Sequence, residues 1–250
     1  MPLLRLLLPR TSISTSGVVV LTIISLVMIL VQLCLGLSGQ SGLYYAAFGI
    51  SWGGIAQFKI WQFLTYALVH AHWLHLLVNL LMLWVLGGKV MGVFGRERFG
   101  VILVAGVLAG GVLHVVVDFL MERAGVEGMT LVGISGGCFA LLLALTTMSP
   151  NARLWPIPIS GRNLGLGVII AELLLLLMTP ALGVPVFSGM GSIVVDLGEG
   201  VFVISHACHF GGAVVGCLLA RVLAVPYPSL IDLQQARARA ESKVGLDDVS

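Results

Sequence analysis

Charge is what this chain of 250 residues has least of. Only 10% of its residues are Asp, Glu, Lys or Arg, against about 25% in a soluble domain. That shortage excludes a water-soluble globule, whose polar surface could not be covered, and 58% apolar composition completes the argument for a polytopic membrane protein. No basic stretch resembles a nucleic-acid-binding domain. The four cysteines, Cys34, Cys138, Cys208 and Cys217, all fall in apolar runs. They lack the loop-borne spacing of a disulfide framework and read as small core residues. No HExxH signature marks a zinc protease, and no internal repeat supports an inverted-repeat transporter. Glycine, in contrast, is abundant at 32 residues, as in helices that pack closely in lipid.

Six apolar runs have the length of membrane-crossing helices, about 20 residues each. They cover approximately 17–37, 68–86, 99–120, 129–148, 164–182 and 201–223. Backbone polar groups must be satisfied within each span, so helices or a closed barrel are required. Near-continuous apolar character argues against barrel alternation. The first run, flanked by Arg5 and Arg10, matches a span better than a cleaved signal core. The expected architecture is an all-α bundle of six transmembrane helices. Residues 1–16 form an N-terminal segment, 17–225 the membrane domain and 226–250 a tail. Within the domain, 38–67 is a long interfacial loop containing the apolar stretch Leu43–Phe58, broken at Gly49 and Gly53–Gly54. Residues Ile231–Lys243 read either as a short surface helix or as a solvated tail.

Lys and Arg set the expected orientation. With both termini cytoplasmic, eleven basic residues fall on the cytoplasmic side and two, Lys59 and Arg123, on the outer side. The expected location is therefore a multi-pass integral membrane protein with cytoplasmic termini, in a bacterial inner membrane.

Polar residues inside such runs are functional candidates by default. Ser135 sits in Gly133-Ile134-Ser135-Gly136-Gly137, and His209 begins His209-Phe210-Gly211-Gly212, with Gly216 beyond. The second, fourth and sixth spans all start on the outer side. Ser135, His209 and His75 are then six, eight and seven residues in, roughly 9–12 Å deep at 1.5 Å per residue. Asn79 lies one turn below His75. A serine hydroxyl needs a base, and His209 suits that task near neutral pH. His75, the Asn79 amide and the Ser135 backbone N–H are candidate donors to an oxyanion. Gly133 with Gly137, and Gly212 with Gly216, form small-xxx-small faces that permit close helix approach. Gly136 leaves room for a substrate backbone. Asp118 and Glu172 are the only carboxylates in the spans. Glu172 falls nearer the cytoplasmic half of the fifth, so a Ser–His dyad is expected. Cys138 and Cys208 flank the pair as rival nucleophiles, but an apolar setting makes thiols inert.

These residues resemble the rhomboid family of intramembrane serine proteases. Gly133-Ile134-Ser135-Gly136 is similar to the family's GxSG nucleophile motif, and His209 with Gly212 and Gly216 to its catalytic-histidine helix. His70, His75 and Asn79 have the spacing of its second helix, where His and Asn support the oxyanion site. Phe139 is placed like the aromatic that packs on the catalytic histidine. The resemblance runs from about Trp61 to Leu223. It implies a six-helix core and cleavage of transmembrane protein substrates near their extracytoplasmic helix ends. Neither metal nor other cofactor is implied, and the partners are substrate helices and membrane lipid, without nucleic acid. It also implies water access from the outer side and lateral substrate entry near the fifth helix, which glycines and Pro180 would let bend. Two departures are visible. The family's outer-loop Trp–Arg pair reads Trp61-Gln62, and Met91 stands where many members have Glu. The first alternative function is a catalytically inactive rhomboid-like protein that binds transmembrane segments. The second is a metal transporter or metalloenzyme using His70, His72, His75, His206 and His209, which lacks a carboxylate at matching depth.

Overall fold

The computed structural model describes residues 14–153, 159–197, 201–202 and 204–224. The proposed helix over Ile231–Lys243, the rest of the 226–250 tail and residues 1–13 of the N-terminal segment lie outside the described residues, and the first helix already includes Thr15 and Ser16. Ten α-helices are present among the described residues, with only two isolated β-bridges and no strand. In chain order they are α1 (Thr15–Ser38), α2 (Ser41–Phe48), α3 (Trp52–Ala56), α4 (Gln62–Thr65), α5 (Trp73–Phe94), α6 (Arg96–Arg123), α7 (Ser135–Met148), α8 (Gly161–Met178), α9 (Phe187–Leu197) and α10 (His206–Leu223). Helices α1, α5, α6, α8 and α10 are long and apolar enough to span a membrane, and α7 is a shorter apolar helix. The protein is a polytopic helical membrane bundle.

Helix α7 is the hub, packed against α5, α6, α8 and α10. The three-way seam of α6, α7 and α10 is held close by small residues. A Cβ on Gly212 would strike the Gly136 carbonyl, and one on Gly216 would strike that of Ala140. Both backbones therefore approach as only glycine allows. Gly136 itself faces the Cys208 sulfur, 2.8 Å from where its Cβ would stand. It thus serves helix packing, and the space expected there for substrate is taken by α10.

Several helix boundaries differ from the hydropathy reading, because apolar residues also line extended chain. The second, fourth and sixth spans begin at Trp73, Ser135 and His206 rather than at 68, 129 and 201. Fourteen residues give α7 a length of about 21 Å, short of a 30 Å hydrocarbon core. Gly133 precedes that helix, with φ +112°, so Gly133 and Gly137 do not form one helical face. The fifth span ends at Met178. Pro180 starts a separate 3-10 turn, closed by Gly183 at φ +60°, so the chain stops being α-helical there instead of bending.

The 43–58 stretch is largely helical. Gly49 closes α2, whereas Gly53 and Gly54 lie inside α3. Three side chains just beyond fasten α2: Trp61 Nε1 donates to the Ala47 carbonyl at 2.8 Å, Gln62 Nε2 to Ala46 at 3.1 Å and Thr65 Oγ1 to Phe48 at 2.8 Å. Gln62 is fully buried in this role. Asp118, also buried, accepts from the backbone N–H groups of Trp52 (2.6 Å) and Met129 (2.7 Å), tying α6 to both the α2–α3 region and the approach to α7. Of the cysteines, Cys138 and Cys208 are core residues as expected, but Cys34 is exposed on α1 and Cys217 is half-buried.

Candidate active site

Ser135 owes its position to a turn rather than to depth along a helix. The Gly133 N–H donates to the Tyr66 carbonyl at 2.8 Å, and the Tyr66 hydroxyl donates to Val107 O at 2.6 Å. An antiparallel bridge between Ile50 and Leu131 fixes the chain just before it. The positive φ of Gly133 then turns the chain, and Ser135 becomes the first residue of α7. Any Cβ at Gly133 would meet the His75 ring at 2.7–2.8 Å and the Asn79 amide nitrogen at 3.5 Å. Both the conformation and the closeness call for glycine.

His209 arrives in the first turn of α10. Ser205 caps that helix by accepting from Cys208 N, and His114 Nδ1 lies 2.9 Å from the Ser205 hydroxyl. The other His114 nitrogen meets the Met129 carbonyl at 2.9 Å. It therefore carries the proton, leaving Nδ1 to accept from Ser205. His114, to which the sequence pattern drew no attention, thus locks the start of α10 to α6 and to the chain ahead of α7.

The central contact joins His209 Nε2 to Ser135 Oγ at 2.9 Å. Phe139, one turn along α7 from Ser135, stacks on the His209 ring with centroids 4.2 Å apart and planes 9° from parallel. His75 is the third residue of α5, a helix capped by His72 Nδ1, which accepts from His75 N at 3.0 Å. Asn79 is 2% exposed and its amide nitrogen has no hydrogen-bond partner among the described residues. A buried donor left open beside the Gly133 turn is costly. His70 is fully buried, edge-on to His75 with centroids 5.0 Å apart.

The expectation of no acid near His209 is overturned. Glu172 Oε1 lies 3.2 Å from His209 Nδ1, and Oε2 lies 2.7 Å from His206 Nδ1. Hydropathy placed the fifth span at 164–182 and put Glu172 in its cytoplasmic half. Helix α8 starts instead at Gly161 and ends at Met178, so Glu172 is the twelfth of 18 residues, on the side of its midpoint nearer the chain's exit. His206 bridges helices as expected of a buried histidine, and its other nitrogen meets the Val201 carbonyl at 3.0 Å. Glu172, His206 and His209 are also donor types that bind metals, with one ligand atom each within 4.8 Å of one another. Their short N···O separations are those of hydrogen bonds within the trio. Of the two cysteines near the pair, Cys138 Sγ faces the Asn79 carbonyl and Cys208 Sγ the Tyr66 hydroxyl, both in the core.

A family model described as the Rhomboid domain matches residues 57–226, and the chain belongs to the rhomboid family. Rhomboid-related protein 2 of Mus musculus is 42% identical over 84 residues, 34% of this chain and 25% of that protein. Presenilin-associated rhomboid-like protein A, mitochondrial, of Danio rerio is 30% identical over 148 residues, 59% of this chain and 33% of its own length. Rhomboid protease GlpG of Enterobacter sp. (strain 638) is 39% identical over 64 residues, 25% of this chain and 23% of that protein. The chain thus spans between 23% and 33% of the length of these curated relatives.

Proposed function

We propose that this protein is an intramembrane serine endopeptidase that cleaves transmembrane protein substrates near their extracytoplasmic helix ends. The observation that carries the reading is the 2.9 Å contact between His209 Nε2 and Ser135 Oγ, braced by the stacked Phe139 ring. Ser135 is the nucleophile: as its oxygen bonds the scissile carbonyl carbon, its proton passes to His209 Nε2. The carbonyl oxygen gains negative charge and takes hydrogen bonds from the Ser135 N–H, the Asn79 amide and His75. Collapse of that intermediate breaks the C–N bond, and the leaving nitrogen receives the proton held by His209. Water then attacks the acyl-enzyme, giving a proton to His209 that returns to Ser135 as the carboxylic product departs. The Asn79 amide nitrogen supports this account, being buried and without a hydrogen-bond partner among the described residues. The proposal invokes no metal or other cofactor.

The eleven-to-two distribution of Lys and Arg favours cytoplasmic termini and so an extracytoplasmic active site, in a bacterial inner membrane. Residues 17–225 are then the protease domain, with cytoplasmic segments on either side. Helix α8 buries only Gly161 and Gly165, a loose fit that suits lateral substrate entry beside it. The test is cleavage of a single-span substrate by detergent-solubilised protein, together with labelling by a serine-directed phosphonate. Ser135→Ala should abolish both with unchanged helix content, and the label should map to Ser135. Near-normal turnover in that variant would remove the nucleophile assignment. A folded wild-type protein that cleaves nothing and takes no label would favour the inactive, helix-binding alternative.

A further inference from the structure

Glu172 lies on α8, a helix that otherwise makes little of the core, yet its carboxyl group meets both histidines of the first turn of α10. The three side chains are largely enclosed, at 12% exposure for Glu172, 13% for His209 and 6% for His206. In such a setting every polar hydrogen has to be accounted for, and the count is informative.

His206 Nε2 faces a backbone carbonyl, which can only accept, so that nitrogen carries a hydrogen. His206 Nδ1 faces Glu172 Oε2 at 2.7 Å, and this contact needs a hydrogen too. Two placements supply it. Either His206 is an imidazolium beside a carboxylate, or the hydrogen sits on Oε2 beside a neutral His206. The pair as a whole is uncharged in both. In both, Glu172 Oε1 remains an acceptor, and it is the oxygen that faces His209 Nδ1. His209 then holds its hydrogen on Nδ1, leaving the lone pair of Nε2 free toward the Ser135 hydroxyl 2.9 Å away. That is the one neutral tautomer able to take the serine proton.

We propose that Glu172 and His206 form a net-neutral positioning unit that fixes the tautomer and ring orientation of His209, so that the site works as a Ser135–His209–Glu172 relay of contacts rather than as an unassisted dyad. The inference rests on the protease reading above. When His209 takes the serine proton, the Nδ1–H is retained and points at Oε1, which stabilises the imidazolium that forms. No proton moves to Glu172 in this scheme. His206 holds the second oxygen and thereby the rotation of the carboxyl plane.

The arrangement makes two substitutions at one position behave differently. Glutamine can copy the hydrogen-bond pattern of the neutral pair, its carbonyl accepting from His209 and its NH2 donating to His206 Nδ1. Leucine keeps the bulk and removes both contacts. In the single-span cleavage assay, Glu172→Leu should lower kcat by about 10²-fold or more, since losing the acceptor that fixes a catalytic histidine's tautomer costs up to about 10⁴-fold. KM should stay within about threefold of wild type, because Glu172 touches no substrate. Glu172→Gln should stay within about tenfold of wild type in kcat. A folded Glu172→Leu protein with kcat within threefold of wild type would overturn the proposal, as would a Glu172→Gln protein as impaired as the leucine variant.

A measurement on the unmodified protein keeps the question open to refutation if the leucine variant fails to fold. Nitrogen-15 NMR of histidine-labelled protein in micelles distinguishes the two neutral imidazole tautomers directly. His209, assigned by loss of its signals in His209→Gln, should show the Nδ1–H form, and an Nε2–H form would overturn the assignment. The readout does not depend on turnover. Absence of cleavage by wild-type protein would therefore refute the protease reading alone, whereas an active wild type with the wrong tautomer would refute the positioning role alone.

Discussion

Replacing Gly212 by alanine should disable the site without touching any reacting group. Gly212 is one turn beyond His209 on α10, and it lies against Gly136, the neighbour of Ser135 on α7. The added methyl would stand 2.8 Å from the Gly136 carbonyl carbon and 3.0 Å from its Cα, whereas non-bonded carbons settle at about 3.5–4.0 Å. Both obstacles are backbone, so no side chain can rotate aside, and α10 has to retreat from α7 by about 1 Å. Transferred to the Ser135–His209 contact, now 2.9 Å, that displacement takes it well past the hydrogen-bonding range of about 3.2 Å. A misplacement of about 1 Å costs on the order of 10²-fold in rate, and overpacking adds about 1–3 kcal/mol of destabilisation. The assay is cleavage kinetics in detergent alongside thermal unfolding, with Gly167→Ala as control. Gly167 is an exposed α8 position where a Cβ meets nothing within 4 Å, and its variant should match wild type. A Gly212→Ala protein with kcat within threefold of wild type would refute the view that this glycine contact sets the geometry of the pair.

Two further outcomes follow from the same contacts. Asn79→Ala should lower kcat more than it changes KM, by up to the roughly 2.7–4 kcal/mol that one oxyanion donor contributes; a large rise in KM at constant kcat would place Asn79 in substrate binding instead. Asp118→Ala removes the acceptor for the Trp52 and Met129 N–H groups, and hydrogen bonds to a charged group are worth about 1.5–3 kcal/mol each. Its unfolding midpoint in detergent should therefore fall by several degrees, and an unchanged midpoint would show that those two loops are held by other means.

The sequence alone determined the class of protein and singled out Ser135 and His209. Low charge with six apolar runs specified a helical membrane bundle, because lipid leaves the backbone only helices or a closed barrel and the runs do not alternate as barrel strands do. Ser135 and His209 stood out because hydroxyl and imidazole in such runs require a reason, and their glycine neighbours marked where two helices close. Tertiary structure decided the rest. Hydropathy cannot separate apolar turns and extended chain from helix, so it adds the 129–134 stretch to α7 and the 68–72 stretch to α5 as helical depth. The Gly133 turn, which actually presents Ser135, was hidden by that. Glu172 was visible as a carboxylate in a span, but its partners lie 34 and 37 residues away on another helix. Whether an acid on α8 meets histidines on α10 depends on where α8 begins and how it is rotated against its neighbour, and both are set by packing along the seam rather than by any local pattern in the chain.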